Sequence, residues 1–309
     1  MSKTHVYDMI IVGGGPGGYT AAIYAASAGL DTLVLEKLSA GGQMALSEEI
    51  NNYPGFEEGV DGYTLAEKMQ RQAERLGART VYAEVERMEL AAEPKVLETS
   101  EGVFYARTVA LATGAGPREL GLADEAALVG HGVAYCAACD GMRYRGKTVV
   151  VVGGGNSAAG DALALSRIAE KVILVHRRDK LRATKAYDRP LSQAGNIEFR
   201  WNSAVVELLH GDKLSGVRLR DVNTGEETEL ACDGVFISVG RKPATELVKG
   251  QLELDKNGYI AADETTKTSL PGVYAVGDVR TKALRQVVTA VADGAAAVHM
   301  AEEYLAGGE

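Results

Sequence analysis

Tyr7-Asp8-Met9-Ile10-Ile11-Val12 runs directly into Gly13-Gly14-Gly15-Pro16-Gly17-Gly18, and an Ala-rich stretch from Tyr19 to Ala28 follows before Gly29. The apolar run predicts a buried strand, the glycines predict a tight turn, and the Ala-rich stretch predicts a helix that Gly29 ends. Thr32 to Leu35 predicts a second strand. This order of strand, glycine turn, helix and strand is typical of a βαβ unit in a parallel α/β sheet.

The glycine spacing in this turn indicates a dinucleotide-binding site. In such turns Gly13 permits the tight bend, Gly15 lets a pyrophosphate approach the backbone, and Gly18 allows close packing of helix on strand. Glu36 stands at the end of the next strand, where a carboxylate can accept hydrogen bonds from ribose hydroxyls. A glycine turn without any ligand is the structural alternative.

The same pattern returns in the second half of the chain. Thr148 to Val152 is apolar, the turn is Gly153-x-Gly155-x-x-Ala158, Ala159 to Ile168 predicts a helix, and Lys171 to Val175 predicts a strand. Two copies of one unit this far apart indicate two domains of related architecture.

The second turn differs from the first at the position that reads the ribose. His176-Arg177-Arg178 stands as far from Gly153 as Glu36 stands from Gly13, and Arg182 follows. A carboxylate would repel a 2′-phosphate, whereas guanidinium groups hold it by charge-assisted hydrogen bonds. We therefore expect the second site to prefer NADPH over NADH; a solvated basic face is the alternative.

Two of the three cysteines form a Cys-x-x-Cys motif at Cys136 and Cys139. This spacing is typical of an exchangeable disulfide with one activated thiol. A zinc site would need further ligands, and only His131 is near in sequence. A buried inert pair is a further alternative. Asp140 follows Cys139 and is a candidate general acid, or else a surface turn residue.

These features together predict the cofactors. One domain should bind an adenine dinucleotide without a 2′-phosphate and the other should bind NADPH. Electrons must then pass from a nicotinamide to a disulfide, and a flavin provides that route. FAD is therefore the expected ligand of the first site.

Composition limits the other possibilities. The chain has 309 residues and a formal net charge of −9, so nucleic acid and anionic lipid are not expected as main partners. Three cysteines do not make a disulfide scaffold. Residues 1–8 lack the long apolar stretch of a signal peptide, which predicts a cytoplasmic protein.

Three further patterns concern organisation. Thr64 and Glu67 have capping-box spacing and predict the start of an amphipathic helix. Gly114 to Pro117 predicts a domain boundary. The residues after Gly240 are too few for a separate core, so they should join an earlier domain.

The whole chain resembles the low-molecular-weight bacterial thioredoxin reductases, which are FAD- and NADPH-dependent disulfide oxidoreductases. Beyond the two glycine turns, the resemblance rests on a series of short motifs in family order. These are Gly41-Gly42-Gln43, Asn52-Tyr53-Pro54-Gly55-Phe56, Ala112-Thr113-Gly114, Cys136 to Gly141, His176-Arg177-Arg178, Gly277-Asp278 and Arg285-Gln286-Val287.

The resemblance implies an α/β fold with two Rossmann-like nucleotide-binding domains, each with a three-layer ββα arrangement. Residues 1–116 and 243–309 would form the FAD-binding domain, and residues 117–242 would form an inserted NADPH-binding domain that carries the dithiol. It also implies a homodimer, thioredoxin as the protein substrate, and rotation of the domains about hinges near Gly116-Pro117 and Gly240.

The resemblance also assigns site residues. For FAD they are Gly13, Gly15, Pro16, Gly18, Glu36, Lys37, Gly42, Gln43, Asn52, Val85, Ala112, Thr113, Gly114, Gly277, Asp278, Arg285, Gln286 and Val287. For NADPH they are Gly153, Gly155, Asn156, Ser157, Ala158, His176, Arg177, Arg178 and Arg182. Cys139 would receive electrons from the flavin, Cys136 would exchange with thioredoxin, and Asp140 would be the general acid.

Some points depart from the family pattern or stay open. Ala138 replaces a common Thr, Asn156 replaces a common Asp, and Gly160-Asp161 only approximates the acid that the family commonly carries soon after the second glycine turn. Another dithiol protein as acceptor, a non-catalytic redox sensor and a ferredoxin or flavodoxin reductase are the competing functions. Residues 306–309 hold no cysteine pair, so the high-molecular-weight reductase mechanism is not expected.

Overall fold

The computed structural model describes residues 5–47 and 49–307. The expectations for the two chain ends fall partly on residues 1–4 and 308–309, which lie outside these ranges. The chain divides into two compact units, Met1–Gly116 with Lys242–Glu309 and Pro117–Arg241. The second division lies one residue before the expected one.

The first unit is built on a seven-stranded sheet with helices against it. Its first segment contains β1 (Val6–Val12), α1 (Pro16–Ser27), β2 (Thr32–Glu36), α2 (Gly62–Arg75), β3 (Arg79–Tyr82), β4 (Val85–Glu89), β5 (Lys95–Thr99), β6 (Gly102–Leu111) and β7 (Ala115–Pro117).

The second unit follows with β8 (Val133–Ala134), α3 (Ala137–Asp140), β9 (Thr148–Val152), α4 (Asn156–Ser166), β10 (Lys171–Val175), α5 (Asp188–Gln193), β11 (Ile197–Arg200), β12 (Ser203–His210), β13 (Leu214–Asp221), β14 (Glu227–Ala231) and β15 (Gly234–Ile237). The short strand β16 (Arg241–Pro243) begins at the last residue of the second unit, and the chain then returns to the first unit with β17 (Val273–Ala275) and α6 (Val287–Leu305).

In the first sheet the strand order is β3-β2-β1-β6-β5-β4, and β17 also pairs with β6. The pairings of β1 with β2 and β6, of β2 with β3, and of β17 with β6 are parallel. The carboxyl ends of these five strands therefore meet at one edge. The predicted βαβ unit is confirmed.

The alternation of side chains along β1 separates two hydrophobic cores. Met9 and Ile11 pack with α1, α2 and α6, whereas Ile10 and Val12 pack on the opposite face of the sheet. Because both faces are covered, the strand is a continuous apolar run, which is typical of a parallel strand.

The second unit has the three-layer ββα architecture that the resemblance implies. Its five-stranded sheet has the order β11-β10-β9-β15-β8, and a three-stranded antiparallel sheet of β12, β13 and β14 covers one face. Val149 and Val151 of β9 pack towards α4, and Val150 and Val152 pack towards the antiparallel sheet. All four pairings in the five-stranded sheet are parallel.

Three predictions about helix starts were wrong. The helices α1 and α4 begin three residues earlier than expected, directly after Gly15 and Gly155, because these glycines occupy the N-cap positions. The helix α2 is capped by Asp61, whose carboxylate accepts a 2.7 Å hydrogen bond from the Thr64 amide. Thr64 and Glu67 therefore do not form the expected capping box.

No helix within residues 5–47 and 49–307 has both the length and the apolar composition needed to cross a membrane.

Candidate cofactor sites and redox disulfide

The first glycine turn lies where β1 ends and α1 begins. A Cβ at Gly13 would meet the carbonyl of Ala112, and a Cβ at Gly18 would overlap the carbonyl of Gly13. Both glycines are therefore required by close backbone packing. At Gly15, by contrast, a Cβ would have no protein atom within 4 Å. Gly15 faces open space, as the pyrophosphate-facing glycine of such a turn should.

The amino end of α1 has no side-chain cap, and Pro16 occupies its first turn. Free amide groups at a helix start, together with the helix dipole, favour a phosphate group. This arrangement fits a dinucleotide pyrophosphate beside Gly15. The structure also brings Gly42 next to the turn, because a Cβ on Gly42 would lie 3.8 Å from the Gly15 α-carbon.

Glu36 ends β2 beside this turn. One carboxylate oxygen accepts a 2.5 Å hydrogen bond from the Gly14 amide, and the other accepts a 3.3 Å bond from the Leu38 amide. Lys37 forms an exposed ion pair with Glu84 at 2.6 Å. The Ala83 amide donates a hydrogen bond to the Glu36 carbonyl, and this bond holds the segment from Ala83 to Val85 beside the end of β2.

Several of the remaining residues predicted for FAD lie at the same edge of the sheet. Ala112 to Gly114 follow β6, and Gly277 and Asp278 follow β17, which is parallel to β6. The side-chain amide of Asn52 donates a 3.0 Å hydrogen bond to the side chain of Gln286, which caps α6.

A hydrogen bond joins the two predicted FAD segments that follow β17. The Arg285 guanidinium donates it to the Asp278 carbonyl at 3.4 Å. Gln43 belongs to the short 3-10 helix Gly42–Leu46.

Several buried groups near this edge were not predicted. Arg280, Lys282 and Asp293 form a buried ionic cluster that contacts the Gly277 turn. The only sequence signal is that Asp293 is the single acid in the apolar stretch 287–298.

The second glycine turn repeats the geometry of the first. A Cβ at Gly153 would overlap the Ser238 carbonyl and crowd the Cβ of Ala158, so close packing requires this glycine. A Cβ at Gly155 would have no protein atom within 4 Å, and α4 has no side-chain cap. Asn156 and Ser157 begin α4 and are exposed, and Asn156 accepts a 2.8 Å hydrogen bond from the Thr184 amide.

His176 lies in the second turn where Glu36 lies in the first. Its ring is buried against Gly154, and its Nε2 has no hydrogen-bond partner among the described residues. Burial, followed by the charges of Arg182, Arg178 and Arg177, lowers the pKa of His176. The imidazole is therefore neutral at pH 7.

The three arginines lie around His176. Arg177 and Arg178 follow it and are exposed, and the Arg182 amide donates a 2.6 Å hydrogen bond to the Gly154 carbonyl. The loop therefore folds back over the glycine turn. An unpartnered ring nitrogen and exposed guanidinium groups beside an uncapped helix start fit a phosphorylated dinucleotide.

Cys136 and Cys139 are joined in a disulfide, with their α-carbons 5.3 Å apart. Both are partly exposed, Cys136 precedes α3, and its Sγ accepts a 3.2 Å hydrogen bond from the Cys139 amide. The strand β8, which leads to Cys136, is parallel to β15. The disulfide therefore lies at the same sheet edge as the second glycine turn. Asp140 ends α3 and is half-buried.

The third cysteine has a different environment. Cys232 is buried, and burial raises the pKa of its thiol to about 12. It is a small core residue and not a reactive thiol. In the described part of the chain no three His, Cys, Asp or Glu side chains are grouped so as to hold a metal ion, so the zinc interpretation has no ligand set there.

The segment before the disulfide is anchored by a buried carboxylate that sequence reasoning missed. Glu125 accepts hydrogen bonds of 2.9–3.1 Å from the amides of Leu120, Gly121 and Leu122. It also accepts a 2.8 Å bond from the hydroxyl of Tyr135, which precedes Cys136.

The model of the family described as pyridine nucleotide-disulphide oxidoreductase matches residues 7–294. The chain belongs to this family, and it is therefore an oxidoreductase.

The names of its relatives indicate a narrower class of enzyme within this family. A thioredoxin reductase of Treponema pallidum is 44% identical over 299 residues, covering 97% of each chain. A thioredoxin reductase of Bacillus subtilis is 41% identical over 306 residues, covering 99% of this chain and 96% of the relative. The crystal structure of thioredoxin reductase from Streptococcus pyogenes has a TM-score of 0.89 at 41% identity and covers 97% of this chain and 98% of its own.

These similarities confirm the predicted resemblance to thioredoxin reductases and the two-domain Rossmann-like fold class. They also support FAD and NADPH as the cofactors, as the sequence predicted.

Proposed function

We propose that the chain is an NADPH-dependent thioredoxin-disulfide reductase whose redox group is the Cys136–Cys139 disulfide. The observation that carries this proposal is the disulfide itself. It is partly exposed and lies at the same sheet edge as the second dinucleotide turn. The end-to-end similarity to thioredoxin reductases supports thioredoxin as the substrate.

Bound FAD would supply the electron route, because flavins can exchange two electrons both with nicotinamides and with disulfides. Residues at the edge of the seven-stranded sheet would hold it. The turn from Gly13 to Gly18 and the start of α1 fit the pyrophosphate, and Glu36 with Lys37 fits the adenosine ribose. Further contacts would come from Gly42, Gln43, Asn52, Val85, Ala112, Thr113, Gly114, Gly277, Asp278, Arg285, Gln286 and Val287.

NADPH would bind in the second unit, residues 117–241. Gly153, Gly155 and the start of α4 from Asn156 to Ala158 would contact the pyrophosphate. Arg177, Arg178 and Arg182 would hold the 2′-phosphate by charge-assisted hydrogen bonds. His176 would orient this loop over the turn.

Two electrons and two protons convert the disulfide to two thiols. We propose that Cys139 is the sulfur that receives electrons from the flavin. The Cys136 thiolate then attacks the thioredoxin disulfide, and Cys139 releases reduced thioredoxin by attacking the mixed disulfide. The amide of Cys139 supports the role of Cys136, because its hydrogen bond to Sγ stabilises a thiolate there. Asp140, as the general acid, would donate a proton to the departing thiolate.

Cys139→Ser separates the two halves of this reaction. The variant should bind FAD, and NADPH should still reduce the flavin, but turnover with thioredoxin should be lost. Cys232→Ser is the matched control, since Cys232 is buried and takes no part in the disulfide, and it should retain turnover. Thioredoxin turnover by Cys139→Ser at the wild-type rate would contradict the assignment.

Three finer points are part of the proposal. We infer that the protein is cytoplasmic, that it forms a homodimer, and that the two units rotate during turnover. Cell fractionation, light scattering of the purified protein, and distance measurements between spin labels placed in the two units test them in turn.

A further inference from the structure

The buried ionic cluster beside the Gly277 turn consists of Arg280, Lys282 and Asp293. Their side chains are 2%, 6% and 6% exposed. Arg280 donates two hydrogen bonds to the Asp293 carboxylate, at 2.9 and 2.8 Å, and Lys282 donates one at 2.7 Å.

The cluster contains two cations and one carboxylate. Burial raises the pKa of Asp293, but the hydrogen bonds from Arg280 and Lys282 outweigh it, and the net shift is downwards. Asp293 is therefore ionised at neutral pH. Glu264 lies 3.8 Å from Arg280 but is 98% exposed, so solvent screens it. The buried groups carry one excess positive charge.

The cluster contacts both segments that follow β17 at the candidate FAD site. The Gly277 amide donates a 2.8 Å hydrogen bond to Asp293. Lys282 donates a 3.1 Å bond to the Thr289 carbonyl in the first turn of α6, and Arg285 donates a 3.2 Å bond to the Arg280 carbonyl. The position of the excess charge is thus fixed relative to Gly277 and to the start of α6.

We propose that the excess positive charge, supplied by Lys282, raises the reduction potential of FAD bound at these segments. Lys282 is a positioning and tuning residue, and the inference rests on the proposed FAD site. Hydride from NADPH brings two electrons and one proton, so reduction leaves the flavin one unit more negative. A buried cation nearby stabilises that charge more than water-screened charges do. The Arg280–Asp293 pair is close to neutral by itself, so Lys282 determines the balance.

The test measures the midpoint potential of the FAD-loaded protein by anaerobic equilibration with a redox dye of known potential. Lys282→Met and Lys282→Gln remove the charge, and the amide of Gln can still donate to Asp293. Both should shift the potential to more negative values. Lys282→Arg keeps the positive charge and should have the wild-type potential. Lys267→Met, at an exposed lysine of the same unit, should also leave the potential unchanged.

The outcomes are distinct. Loss of thermal stability in Lys282→Met and Lys282→Gln with an unmoved potential would show a merely structural role and overturn this inference. The measurement needs neither thioredoxin nor turnover, so it stands if the substrate assignment fails. A wild-type protein that binds no FAD would contradict the proposed function itself, and with it this inference.

Discussion

The imidazole ring of His176 lies directly against the α-carbon of Gly154, so closely that a Cβ at position 154 would overlap the ring. In the first unit Glu36 contacts the corresponding Gly14 by a hydrogen bond, which its carboxylate accepts from the Gly14 amide. In each βαβ unit a residue at the end of the second strand, Glu36 or His176, therefore packs on the glycine turn.

Gly154→Ala should displace His176 and the arginines that follow it. Overpacking costs about 1–3 kcal/mol, and a loss of this size in NADPH binding should raise the KM for NADPH about five- to a hundredfold while the FAD content stays unchanged. Steady-state kinetics with varied NADPH measures the effect. Gly211→Ala, where a Cβ meets open space, is the control. An unchanged KM in Gly154→Ala would show that the His176 contact does not matter for NADPH binding.

The double variant Arg177→Ala with Arg178→Ala tests the nucleotide preference. A hydrogen bond to a charged group contributes about 1.5–3 kcal/mol, so the KM for NADPH should rise about ten- to a hundredfold. The KM for NADH should change little, because NADH lacks the 2′-phosphate. Lys213→Ala removes a charge elsewhere in the same unit and serves as the control. If the ratio of the two KM values stays at its wild-type level, the arginines do not hold the phosphate.

Asp161 makes stability depend on pH. Burial raises the pKa of its carboxyl, although Ser238 donates a 2.5 Å hydrogen bond to it. The folded state thus holds the proton more tightly than the unfolded state does. The contribution of Asp161 to the free energy of unfolding is therefore greatest below the unfolded pKa and falls as pH rises through the folded pKa.

Asp161→Asn does not titrate and should escape this loss. Its free energy of unfolding relative to wild type should increase from pH 4 to pH 7.5, as measured by urea unfolding across that range. If the difference in free energy of unfolding between Asp161→Asn and wild type does not change with pH, the pKa of Asp161 is not raised in the folded state.

Asp293→Asn leaves Arg280 and Lys282 buried without a carboxylate. Removing one partner of a buried ionic group costs about 3–5 kcal/mol, and urea unfolding of the FAD-loaded protein should show a loss of this size. Glu264→Gln, at the exposed carboxylate near Arg280, should cost no more than about 0.5 kcal/mol. Equal losses in the two variants would contradict the stabilising role of the buried carboxylate.

Local patterns in the sequence were enough for the framework of the fold. The apolar strands beside Gly13 and Gly153 and the Cys136-x-x-Cys139 motif each encode their structure within a few residues. The predicted starts of α1 and α4 were wrong because a Gly-x-Gly turn places its second glycine at the N-cap position. Gly18 and Ala158 therefore lie inside these helices and not before them. Asp61 caps α2 in place of Thr64 because it lies three residues before the amide that it accepts.

Contacts between distant residues could not be predicted. Asp161 contacts Ser238, and Asp293 contacts Gly277 and Arg280, only because the strands and helices that carry them pack together. The bond from Tyr135 to Glu125 has a similar origin. A single sequence shows each of these residues as an ordinary polar residue, since its partner is known only once the fold is formed.

We propose that electrons pass from NADPH through FAD and the Cys136–Cys139 disulfide to thioredoxin. The most direct measurement is anaerobic stopped-flow of the FAD-loaded protein, first with NADPH and then with oxidised thioredoxin, following the flavin absorption band. We predict that NADPH bleaches the band and that thioredoxin restores it, with both steps at rates that support turnover. A band that NADPH leaves unchanged, or one that stays bleached when oxidised thioredoxin is added, would contradict the account.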